Sequence, residues 1–87
     1  MNDDRNIIKA NTINYRKGFI EVIKNIHEGC INIETWNIHP DKDIETISLG
    51  DGKLSDDDVV GVTEIELSLS EARALISLLE HTLEKNG

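Results

Sequence analysis

The chain has 87 residues, 38% hydrophobic and 30% charged, with a formal net charge of −8. That length holds one domain, 1–87, and 13 isoleucines beside only Tyr15, Phe19 and Trp36 as aromatics are enough for a core, which excludes several domains and wholesale disorder. The acidic balance excludes direct nucleic-acid binding and an anionic membrane surface, since phosphate binding draws on clustered Lys and Arg.

The charge is unevenly placed. Residues 41–66 hold nine acids against Lys42 and Lys53, which accounts for −7 of the total. A basic protein partner is therefore permitted, beside the simpler reading of a solvated loop. Cys30 is the one cysteine and cannot form an internal disulfide. The start, Met1-Asn2-Asp3-Asp4-Arg5, lacks the apolar stretch of a signal peptide, and no apolar run reaches the roughly 18 residues that span a bilayer. A cytoplasmic protein is the expectation.

In chain order, residues 1–12 are polar apart from Ile7, Ile8 and Ala10, and 1–6 are expected to be loose. Residues 15–27 are ambiguous. Tyr15, Phe19, Val22, Ile23 and Ile26 have helical spacing, but Gly18 interrupts them, and the β-branched and aromatic content favours a strand. Glu28-Gly29 would then turn into a second strand at 30–38. There Ile31 and Ile33 share one face while Trp36 and Ile38 take the opposite parity, so either both faces are partly covered or a bulge shifts the register near Thr35. Residues 44–49 read as a weaker strand closed by a turn at Gly50-Asp51-Gly52. Residues 62–67 alternate well, with Thr63, Ile65 and Leu67 inward and Glu64 and Glu66 outward.

The strongest local signal is a C-terminal helix over 68–85. Ser68-Leu69-Ser70-Glu71 spells a capping box, and Leu69, Ala72, Leu75, Ile76, Leu79 and Leu83 form one apolar stripe. Leu78 projects about 120° from the centre of that stripe, which marks it as an exposed leucine or a partner contact.

Motifs for chemistry are absent. His27-x-x-Cys30 is the one close pair of soft ligands or Cys/His catalytic groups, and nothing supplies the rest of a zinc site or activates a thiol. Asp41, Asp43 and Glu45 start like a calcium loop, yet Thr46 stands where the turn glycine belongs and Gly52 where the bidentate Glu belongs. Gly50-Asp51-Gly52-Lys53 fails as a phosphate loop, with Ile47 and Leu54 in place of Gly and Ser or Thr. No enzyme activity, metal or cofactor is expected.

The expected architecture is α+β: an antiparallel three- or four-stranded meander with one C-terminal helix packed on one face. The other face, with Trp36 and Ile38 and also Phe19 and Ile23, would be an unusual apolar patch for a monomer, which implies a homodimer or another protein partner. The expected function is a small acidic non-catalytic interaction module, a regulator or inhibitor that docks on a basic surface of a larger protein. Asp56, Asp57 and Asp58 would steer the encounter, and Trp36, Ile38 and Leu78 would make contact. The alternative is an assembly subunit that works as a homo-oligomer.

Overall fold

In the computed structural model, residues 5–24 and 26–86 are described. Four strands, β1 (Asn6–Ala10), β2 (Lys17–Lys24), β3 (Cys30–Ile38) and β4 (Val59–Ser68), form one antiparallel sheet in the order β1-β2-β3-β4, and α1 (Leu69–Asn86) follows. This is the expected α+β meander. Of residues 15–27, expected as strand, 17–24 form β2, while Tyr15 and Arg16 lie in a short 3-10 turn; Gly18 lets β2 approach β3 closely, since a Cβ there would land on the Trp36 carbonyl oxygen. Gly29, at φ +78°, supplies the left-handed turn into β3, and the Cys30 amide closes it on the His27 carbonyl at 3.0 Å.

Side chains alternate along each strand and directly paired residues share a face, so the register sorts the sheet into two surfaces. One carries Ile7, Phe19, Glu21, Asn32, Glu34, Trp36, Ile38, Glu64 and Glu66; the other carries Ile8, Ile20, Val22, Ile31, Ile33, Ile65 and Leu67. β3 keeps regular alternation throughout. The register shift lies later than expected, where Asn37 pairs with Gly61 and Ile38 with Val59, leaving Val60 as the extra residue of a bulge on β4.

The core lies between the first surface and residues 39–58, which cross it as a loop. Phe19, Ile38, Ile44 and Ile47 are buried, and Ile7, Trp36, Leu49, Leu54 and Val59 pack against them. Ile44 is fully enclosed, at 0% exposure. Residues 44–49 are therefore not the strand expected: Ile44 and Ile47 point inward from successive turns, and the Ile47 amide donates to the Ile44 carbonyl at 3.1 Å. Side chains tie this loop down. Lys9 Nζ donates to the Glu45 carbonyl at 3.0 Å, buried Lys17 donates to Asn14 Oδ1 at 3.1 Å and the Pro40 carbonyl at 3.0 Å, and Arg5 Nη1 donates to the Leu49 carbonyl at 3.0 Å. Asn6 opens β1, so the loose start expected at 1–6 otherwise falls on residues 1–4, outside the described residues.

Helix α1 starts where expected. The Glu71 amide donates to Ser68 Oγ at 3.2 Å, and the Ser68 amide donates to Glu71 Oε1 at 2.8 Å. What it covers differs from the expectation. The helix touches β4 and β3, yet Ala72 is its only described side chain that is even half-buried. β4 runs into α1 without an intervening residue, so no loop exists to fold the helix back over its own sheet. The Cα radius of gyration, 14.5 Å, accordingly exceeds the roughly 12 Å of a compact chain this long.

Candidate functional site

The meander aligns three glutamates that are far apart in sequence. Glu21 pairs with Glu34 across β2 and β3, and Glu34 pairs with Glu64 across β3 and β4, giving a row of carboxylates beside the loop-covered core. Arg5 binds one end. Its Nε and Nη2 donate to Glu21 Oε2 and Oε1, each at 2.9 Å, a two-point clamp. Those Arg5 hydrogen bonds hold the Glu21 carboxyl below the usual range even though burial opposes them. Glu34, in the middle, goes the other way. Burial raises it first, then its hydrogen bond with Glu64 and the negative charges of Glu64 and Glu21, with Arg5 opposing. Asn32, buried beside it, donates to Glu34 Oε2 at 3.3 Å. One strand pair further along, Glu66 meets His27 Nδ1 at 2.6 Å, so the His27 ring turns to a carboxylate.

The crossing loop extends this negative surface. Asp51 folds the turn over Gly50 and Gly52: its carboxylate accepts from the Ser48 and Lys53 amides at 2.8 and 2.9 Å, and both bonds hold its pKa down. Asp58 is bound internally, accepting from the Ser55 amide at 2.9 Å and lying 3.4 Å from Lys42 Nζ; the Ser55 bond is the main reason its pKa is lowered. Asp56 and Asp57 are exposed, as are Asp41, Asp43 and Glu45. Four cations on this side are committed to the fold, Arg5 to Glu21, Lys42 to Asp58, and Lys9 and Lys17 to backbone carbonyls, while Lys53 is exposed among more numerous acids. The outward field is therefore negative.

The residues singled out from the sequence scatter. Asp56 and Asp57 lie on the acidic surface, while Asp58 is used internally. Trp36 is half-buried under the crossing loop, where it lines a shallow recess of about 350 Å³ with Leu49, Leu54 and Val59, and its Nε1 is buried without an acceptor among the described residues. Ile38 is 2% exposed and belongs to the chain's own core, which removes it from any partner surface. The face expected to need a partner is thus covered by residues 39–58. The face expected to be inward under the helix is the open one, with Ile65 62% exposed. Leu78, at 63%, does not stand apart either, because the stripe residues Ile76, Leu79 and Leu83 are as open. The glutamate row had no signal in the sequence. Glu64 and Glu66 read only as outward residues, and their alignment with Glu34 and Glu21 depends on register.

No group of three or more His, Cys, Asp or Glu among the described residues is arranged to hold a metal ion, and none of their helices is long and apolar enough to cross a membrane. Comparison with protein-family models, curated proteins and solved structures finds no match to this chain, so the functional reading rests on the surface itself.

Proposed function

We propose that this protein is a non-catalytic interaction module that docks its acidic sheet face and crossing loop on a basic surface of a larger protein, as a regulator or inhibitor would. The carrying observation is the charge partition. The four strand glutamates after β1, at 21, 34, 64 and 66, share one face, and the loop that crosses it adds the exposed acids at 41, 43, 45, 56 and 57. Such a concentration of one sign steers encounter with an oppositely charged surface and selects against acidic partners. Placing Glu34 half-buried in a row of like charges also costs stability, since burial first and its carboxylate neighbours second raise its pKa, and an interaction surface is a reason to retain it.

Capture from a cell lysate tests the reading. The immobilised chain is expected to retain proteins with basic surfaces, with yield falling steeply between about 50 and 500 mM salt, where the Debye length shrinks several-fold. Glu45→Gln, Asp56→Asn and Asp57→Asn together should reduce the same yield. Capture that ignores both salt and these substitutions would defeat the docking reading. A second reading, in which self-assembly is itself the function, is favoured by the open apolar face; association through it should hardly respond to salt.

A further inference from the structure

The surface opposite the acids contains no Asp or Glu. Across all four strands its only ionisable residue is Lys24, at one corner, and its centre is Ile8, Ile20, Val22, Ile33, Ile65 and Leu67. In a chain with 17 acids that is a sharp segregation, and this surface lies away from the buried core, with Ile8 and Ile65 59% and 62% exposed. A second apolar surface lies close in sequence: the α1 stripe of Leu69, Leu75, Ile76, Leu79 and Leu83, all exposed.

We propose that these two surfaces are halves of one interface with a second copy of this chain, the α1 stripe of each copy lying across the open sheet face of the other. Within one chain the pairing is blocked, because α1 follows β4 with no loop to reverse it. Between two chains nothing blocks it, and the dimensions agree. The 18-residue helix is about 27 Å long. The 8-residue strand β2, in mid-sheet, is also about 27 Å long. The exposed stripe, with Ile8 and Ile65, offers on the order of 700 Å² per chain, close to the roughly 800 Å² per partner of a stable protein interface.

Charge allows a copy through this face alone. Two chains at −8 repel, and the arrangement that lets them meet joins them through the acid-free face and sends both acidic faces outward. The thin core points the same way: four buried apolar residues among the described ones are few for a chain of this size, and mutual coverage would bury Ile8, Ile65 and Ile76, which the monomer leaves in water. This pairing does not depend on the docking reading, and either can fail alone.

Sedimentation equilibrium of the full chain should give twice 9.8 kDa at micromolar concentration, and added salt, which screens the repulsion, should not dissociate it. Ile65→Glu, on the sheet, and Ile76→Glu, on the helix, should each weaken the dimer by roughly 100-fold or more, as substitutions at an interface centre do. Because either variant could also damage folding, a mixture of isotope-labelled and unlabelled parent chains provides the independent reading. Intermolecular NOEs should join Leu75 and Leu79 methyls of one copy to Ile33 and Ile65 methyls of the other. A 9.8 kDa species at all concentrations, including one that gains mass only with a different protein, would overturn the proposal. So would a dimer whose intermolecular NOEs avoid the open face.

Discussion

Replacing Glu34 by Gln should stabilise the protein, and the effect should depend on pH in a defined sense. Glu34 stands directly between Glu21 and Glu64, and like charges directly opposite on neighbouring strands cost about 0.2–1 kcal/mol per pair. Arg5 neutralises Glu21, which leaves Glu64 as the main opponent, and the half-exposed setting of Glu34 screens it further. A gain of about 0.5–1 kcal/mol is therefore expected at neutral pH, or roughly 3–6 °C in Tm for a domain of this size. The substitution keeps the neighbours satisfied, since a Gln carbonyl can accept from Asn32 and its amide can donate to Glu64. The raised pKa means that the folded state holds the Glu34 proton more tightly than the unfolded chain does. The parent thus loses stability as pH rises from the ordinary carboxylate range through the raised value, and above it the full cost applies. Glu34→Gln escapes that cost, so its advantage should be complete at pH ~7–8 and vanish below about pH 4. Thermal melts followed by circular dichroism at both ends of that range measure it. A variant less stable than the parent at neutral pH, or an advantage that persists unchanged in acid, would refute the reasoning.

Two further outcomes follow from the packing and the cap. Ile44→Ala empties the most enclosed site in the core and should cost about 2–5 kcal/mol in denaturant titration, a large share of the stability of so small a domain; a loss under about 0.5 kcal/mol would mean the crossing loop does not hold the core. Ser68→Ala removes the hydroxyl that accepts from the Glu71 amide and should cost about 1 kcal/mol, read as a lower Tm with reduced helical ellipticity.

How much of this was legible in the sequence depends on how far apart the deciding residues lie. The Ser68 cap, the α1 stripe, the bounds of β3 and the Gly29 turn are set within a few residues and could be read directly. β1 could not, because Ile7, Ile8 and Ala10 make a short, mostly exposed edge strand with little pattern of its own. Ile44 and Ile47 resembled an alternating strand but are loop residues three apart, pointed into the core by successive turns. The main difference concerns which sheet face is covered. Ile31, Ile33, Ile65 and Leu67 were rightly placed on one face, but their apolar character says nothing about what lies over it. The crossing loop takes the Trp36 and Ile38 face, and α1 cannot reach the other. For the acidic surface, Asp56 and Asp57 were visible as a run, whereas the Glu21-Glu34-Glu64 row exists only once the strands are in register.

The docking claim is tested most directly by carboxylate footprinting of the chain alone and with its captured partner, using carbodiimide and an amine label. The account predicts that Glu45, Asp56, Asp57 and Glu64 lose labelling in the complex while Glu80 and Glu84, on α1, keep theirs. Protection of the α1 acids with the sheet-face and loop acids still labelled would contradict it.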